Sequence, residues 1–227
     1  MALFDIDGTL LDTGGAGREA FIRGLARVTG ARDELAYVSF AGNTDRNVLD
    51  QVMAARGMRL AEEEVLRIFR EIAAELEDLL RANPAREVAG AGAFLERLSA
   101  EGVATGLVTG NIRACAFLKL GSVRLDRFFG FGGFGDEHAE RAKIARSALA
   151  AARHAGLAVE PDGICLVGDT PFDVAAGRAL GVPVIGVASG KFGERDLLAA
   201  GAAVVARDFS EADRLWHWME ETLGHGA

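Results

Sequence analysis

The stretch MALFDIDGTLLDTGG (residues 1–15) decides how the rest of the chain is read. Its apolar start is too short for a helix and is stopped by an Asp-Gly-Thr turn, so it reads as a buried strand ending at Asp5 and Asp7. On an extended backbone, residues two apart point the same way while Ile6 between them points away. Carboxylates placed like this repel one another unless a cation or a shared proton relieves them. The opening therefore asks for a metal ion, and for a further ligand from elsewhere in the chain.

Outward from that strand the texture changes. From Gly15 to about Pro84 no strong strand run appears, and EEEVLRIFREIAAELEDLLRA (62–82) places Val65, Phe69, Ile72, Leu76, Leu79 and Leu80 at spacings of three and four, an amphipathic helix. Beyond Pro84 short apolar runs at 103–110, 130–134, 163–169, 182–190 and 202–206 alternate with helical stretches at 91–101, 113–121, 141–155, 172–180 and 194–200. Such alternation builds a parallel sheet with helices on both faces. A last helix is expected over about 211–223, with Ser210 and Asp213 as its capping box. The first strand belongs to the later sheet. The expected fold is thus α/β: a Rossmann-like parallel core of residues 1–14 and 85–227, with residues 15–84 inserted as a helical unit.

The chain has 227 residues, half of them hydrophobic, which is enough for a sizeable core. Its formal net charge of -8 argues against nucleic acid or an anionic membrane as a main partner, since both reward basic faces. Cys115 and Cys165 have neither CxxC nor zinc-ligand spacing and read as buried thiols in a reducing compartment. No charged-then-apolar leader precedes Asp5, and no apolar run approaches the roughly 20 residues of a membrane span. A cytoplasmic protein is expected. Trp216 and Trp218 cannot both face one core stripe, which leaves a monomer or a homodimer open.

In open parallel sheets ligands gather beyond the carboxyl ends of the strands. Those ends are polar here: Asp5-Ile6-Asp7 after the first run, Thr109-Gly110-Asn111 after the second, and Gly168-Asp169-Thr170 with Asp173 after the fourth. Asp5, Asp7 and Asp169 form an oxygen-rich pocket of the kind Mg2+ accepts. Thr109 and the backbone N–H groups of Gly110 and Asn111, near a helix start, suit phosphate oxygens. The glycine-rich segments 14–19 and 130–135 lack the strand-turn-helix setting of a dinucleotide site.

FDIDGTLLDT (4–13), LVTGN (107–111), ERAKIARSAL (140–149) and VGDTPFDVAAG (167–177), in that order, resemble the four motifs of the haloacid dehalogenase (HAD) superfamily. The resemblance covers nearly the whole chain. Within the superfamily the phosphoglycolate phosphatase-like branch is nearest, because FAGNTDRNVL (40–49) is similar to an element its caps carry. The resemblance implies a mobile helical cap and a phosphatase acting on a small phosphorylated metabolite. Asp5 would be the nucleophile that becomes an aspartyl phosphate, and Asp7 the general acid and base. Mg2+ would be held by Asp5, the Asp7 carbonyl and Asp169, with Asp173 as an orienting or indirect ligand. Thr109 would bind a phosphate oxygen. The third motif departs from the family's usual lysine and offers two cations, Arg141 nearest the helix start and Lys143. Arg18, Asn43 and Arg46 are candidates to reach a substrate's leaving group from the cap. A sugar-phosphate mutase and a non-catalytic binding protein of the same fold are the alternative readings.

Overall fold

The computed structural model describes residues 1–158 and 160–224. Strand β1 (Ala2–Phe4) is entirely buried and lies in the middle of a six-stranded sheet of order β5-β4-β1-β6-β7-β8. The others are β4 (Thr105–Val108), β5 (Gly132–Gly133), β6 (Cys165–Gly168), β7 (Val184–Val187) and β8 (Val204–Ala206). Every pairing is parallel, with Phe4 opposite Leu107 on one side and Val167 on the other. The polar residues after β1, β4 and β6 therefore emerge side by side at one edge. Asp5 N–H still donates to the Val167 carbonyl at 2.9 Å, which ties the first carboxylate to the end of β6.

Helices α4 (Ala91–Ala100), α5 (Arg113–Ser122), α6 (Arg141–His154), α7 (Pro171–Leu180), α8 (Glu194–Ala200) and α9 (Ala212–Leu223) connect and cover the strands. Two apolar clusters result. One contains Phe4, Phe94, Phe134 and Phe209; the other gathers Leu3, Ile144, Leu166 and Val184. Strand β5 is shorter than the 130–134 run, and helix α6 packs directly against it. A Cβ on Gly133 would lie 2.0 Å from the Ile144 carbonyl oxygen.

Between residues 15 and 84 the chain forms three helices, α1 (Ala16–Thr29), α2 (Asp45–Ala55) and α3 (Glu62–Ala82). Val65, Ile68, Phe69, Ile72, Leu76 and Leu80 of α3 are buried, the period-3.6 stripe of an amphipathic helix. Gly24 lets α1 and α3 approach closely, since a Cβ there would meet the Ile72 backbone nitrogen at 2.5 Å. Outside this insertion a short antiparallel ribbon pairs β2 (Leu11–Asp12) with β3 (Arg86–Glu87).

The capping box expected at Ser210 and Asp213 does not form. Residues Phe209–Glu211 make a 3-10 turn stabilised by the Asp208 side chain, and Asp213 turns outward to Arg97 at 2.6 Å. The aspartate two residues earlier offers a better-placed acceptor for the Ser210 N–H, and the helix begins at Ala212, one residue later than expected. No helix among the described residues is long and apolar enough to cross a membrane.

Candidate active site

Just beyond β1 the chain turns on Ile6, whose carbonyl accepts from the N–H groups of Thr9, Leu10 and Leu11. Gly8 takes a left-handed conformation with φ of 78°. It also leaves room for Asp169, because a Cβ on Gly8 would lie 2.4 Å from the Asp169 Oδ2 and one on Gly190 would lie 1.8 Å from the same atom. The Asp169 carboxylate thus sits in a slot that only glycines leave open. Thr9 donates its hydroxyl to the other Asp169 oxygen at 3.3 Å.

Asp5, Asp169 and Asp173 each place a carboxylate oxygen within 4.8 Å of the others, and all three are buried. Burial first, then the neighbouring carboxylates, pushes Asp5 and Asp169 well above the usual carboxylate range, with Arg141 pulling in the opposite direction. Crowded, dry and made only of oxygen, this donor set suits a hard divalent cation. Asp173 is committed elsewhere. Its Oδ2 accepts from the Thr170 N–H and hydroxyl at 3.0 and 2.7 Å, and its Oδ1 accepts from Arg141. That reciprocal cap starts α7 at Thr170-Pro171, whereas Asp5 and Asp169 each have one oxygen engaged, by Arg141 and Thr9, and the other available to a ligand.

Arg141, the first residue of α6, spans two of these acids, holding Asp173 and donating to Asp5 Oδ1 at 3.2 Å. Its fork geometry permits this and a lysine's point charge would not. Lys143, the other candidate cation, lies two residues on, points to solvent and pairs with Glu140 at 2.6 Å, away from the three acids.

The Asp7 carboxylate lies outside the three-carboxylate cluster and is relieved by a residue that sequence reasoning missed. Lys119, from the middle of α5, places Nζ 2.8 and 2.7 Å from the two Asp7 oxygens and 2.6 Å from Asn111 Oδ1. Asn111 donates its amide to Asp7 Oδ2 at 2.7 Å. Burial opposes a charge on Lys119, but Asp7 and Asp45 raise its pKa above the ordinary lysine value. The one signal available was a lone charge inside the apolar run CAFLKL (115–120), a position where a lysine needs a buried partner.

Thr109 is fully buried beneath the site, and its hydroxyl accepts from the Asn111 side chain at 2.8 Å. It orients Asn111 rather than facing the cleft. Gly110 and Asn111 do line that cleft, which measures about 270 Å³. Its walls include Asp5, Asp7, Lys119, Arg141 and Asp169 from the sheet edge, and Arg18, Phe40 and Asn43 from the insertion. Arg18 sits 5.7 Å from the centre of the Phe40 ring and donates to the Glu34 carbonyl. Asn43 uses its side chain to brace Thr44 and Asn47. Arg46 does not reach the cleft. It forms a two-pronged pair with Glu62 at 2.9 and 2.7 Å within the helical insertion.

What the GNTD segment (42–45) does instead is dock. Asp45 N–H donates to the Gly110 carbonyl at 2.8 Å, and Asp45 Oδ2 accepts from the Ile112 N–H at 2.8 Å. The Thr44 hydroxyl donates to the Ala139 carbonyl at 3.0 Å. Burial pushes the Asp45 carboxyl up to about 6, against the opposing pull of Lys119 and the Ile112 N–H.

The sequence profile described as haloacid dehalogenase-like hydrolase matches residues 2–187. A phosphoglycolate phosphatase of Agrobacterium fabrum is 30% identical over 84% of this chain and 81% of its own length. Another, from Rhodospirillum rubrum, is 31% identical over 96% of this chain and 89% of its own. In fold, the chain is similar to a hydrolase from Pseudomonas syringae, with a TM-score of 0.71 at 24% identity, covering 96% of this chain and 97% of that one.

Proposed function

The chain belongs to the haloacid dehalogenase-like hydrolases, and we propose that it is a magnesium-dependent phosphatase that hydrolyses a small phosphomonoester through an aspartyl phosphate. The curated relatives named phosphoglycolate phosphatase favour a substrate of that size and charge. The observation that carries the reading is the placement of Asp5 between Arg141 and Asp169, with Asp7 two residues on in the same cleft. Residues 15–84 would act as the cap and the remainder as the core. The two buried, unpaired thiols fit a cytoplasmic setting.

In the proposed reaction an Asp5 carboxylate oxygen attacks phosphorus in line, and the bond from phosphorus to the ester oxygen breaks. Asp7 gives its proton to the departing alcohol. Asp7, now a carboxylate, takes a proton from the water that attacks the aspartyl phosphate, which releases inorganic phosphate and restores both residues. Arg141 holds Asp5 by its guanidinium and offsets negative charge on the transferring group. The N–H groups of Gly110 and Asn111 are suited to the phosphate oxygens. Asp5, the Asp7 carbonyl and Asp169 would hold magnesium, which would screen the carboxylate from the phosphate.

The test is phosphate release from a chromogenic phosphomonoester by wild type and Asp5→Asn. The wild type should turn over without a bisphosphate activator, and the variant should lose activity by at least about a thousandfold with its melting temperature kept. Phosphate release by Asp5→Asn at the wild-type rate would overturn the mechanism, and a need for a bisphosphate would favour the mutase.

A further inference from the structure

Lys119 is buried, with 4% of its surface exposed, and all its close polar contacts point one way. Its three ammonium hydrogens are matched by three acceptor atoms, both Asp7 oxygens and Asn111 Oδ1. Asn111 in turn is fixed by Thr109, and its amide reaches the same Asp7 carboxylate. A lysine head with four rotatable bonds behind it is held here by a closed ring of hydrogen bonds, so neither it nor Asp7 can turn without breaking several at once.

The insertion completes the cage. Gly17, in the first turn of α1, faces the ammonium so closely that a Cβ would lie 3.1 Å from Nζ and 3.4 Å from Cε. Gly17 also lines the cleft beside Asp7 and Lys119. Glycine is a poor residue for a helix start of this kind unless space is needed, and here the space is the lysine's. Arg141 is spent on Asp5 and Asp173, so it and Lys119 serve different acids.

We propose that Lys119 is a positioning residue for proton transfer: it fixes the Asp7 carboxylate at the leaving-group side of the cleft, and Gly17 of the insertion makes the room that lets it do so. This rests on the phosphatase reading above. Lys119 meets the 109–111 segment at the Asn111 side-chain oxygen and not at the N–H groups suited to phosphate, and its other close partner is Asp7, so its effect falls on departure of the alcohol more than on capture of phosphate. An alkyl phosphate needs its leaving oxygen protonated, whereas a nitrophenyl phosphate leaves as a stable anion and needs little help.

The experiment measures kcat/KM, which reports steps up to the first P–O cleavage, for an alkyl phosphate and for 4-nitrophenyl phosphate. In Lys119→Met the alkyl value should fall about a hundredfold, the scale of general acid catalysis, and the nitrophenyl value less than about tenfold. Inhibition by inorganic phosphate should stay unchanged. Gly17→Ala keeps every charge and improves helix propensity, so its melting temperature should hold or rise while the alkyl reaction alone slows severalfold. Equal losses on the two esters in either variant, or none, would overturn the inference while the phosphatase reading stands. A wild type that releases phosphate from neither ester would overturn both.

Discussion

Gly110→Ala should disable the enzyme by holding residues 15–84, the proposed cap, away from the sheet edge. The new Cβ would lie 2.1 Å from the Asn43 carbonyl oxygen, 3.0 Å from the Asn43 carbonyl carbon and 3.1 Å from the Thr44 Cα. All three atoms are backbone and cannot swing aside, so the 43–44 segment must retreat by roughly an ångström to reach ordinary contact. The Asp45 N–H bond to the Gly110 carbonyl, at 2.8 Å now, would then exceed hydrogen-bonding range, and the 2.8 Å bond from the Ile112 N–H to Asp45 Oδ2 would stretch with it. One neutral and one charge-assisted bond are worth about 3 kcal/mol together. Because about 1.4 kcal/mol is a factor of ten, the closed state, and with it kcat/KM, should fall roughly a hundredfold. The fold should survive, since the alanine touches the insertion and not the sheet. The assay pairs kcat/KM on an aryl phosphate with hydrogen exchange at the Asp45 and Ile112 amides and with thermal melting. Wild-type kcat/KM with unprotected amides would refute the idea that docking governs turnover. Full protection of both amides would refute the steric argument itself.

Magnesium at about a hundred times its dissociation constant should stabilise wild type by about 2.7 kcal/mol, a rise of roughly 5–10 °C in melting temperature for a chain of this length. Asp169→Asn should lose most of that rise, and an equal rise in the variant would remove Asp169 from the metal site. Arg46→Ala should leave the ranking of substrates unchanged, because its guanidinium is paired with Glu62 in an ion pair worth about 1 kcal/mol or less; a reordered substrate panel would contradict the pairing. Asp45 carries a folded-state pKa of about 6, raised from the unfolded value of 3.8, so its burial costs nothing while it is protonated and costs stability as pH rises from about 4 through 6. Asp45→Asn should therefore raise melting temperature relative to wild type more at pH 8 than at pH 5, and the reverse order would show that its charge is satisfied by Lys119 and the Ile112 amide.

Patterns confined to neighbouring residues were readable from the chain itself. Short apolar runs placed every strand of the main sheet, and the spacing of Val65, Phe69, Ile72 and Leu76 placed the longest helix. The polar tips after β1, β4 and β6 converge because the strands are adjacent and parallel; alternation implied the parallel sheet, and the order that makes these three neighbours came from the structure. Contacts that join distant segments were not readable. Nothing near Asp7 announces a lysine 112 residues away, and Lys119 lies on a helix whose other inward residues are apolar. Arg46 had the charge to select a substrate, but the rotation of α2 about its axis, fixed by Val48, Leu49 and Val52 in the core, turns it toward Glu62. Asp45, one residue earlier, meets the core instead. Likewise Arg141 and Lys143 are two apart on one helix, and a helix sends such positions to different faces.

The ribbon of β2 and β3 makes the point of exit and the point of re-entry into the sheet neighbours. Leu11 stands opposite Glu87 and Asp12 opposite Arg86, with the Asp12 and Arg86 side chains 3.0 Å apart. Everything between them, residues 13–85, hangs from a single two-stranded stalk. A stalk of this kind makes the inserted piece modular: it can be lengthened, shortened or exchanged for a tight hairpin turn without altering the spacing of the strands beneath. Selection can thus rewrite what enters the cleft in one stretch of gene, provided the replacement keeps the room that Gly17 leaves for Lys119 and the Asp45 bonds to the sheet edge.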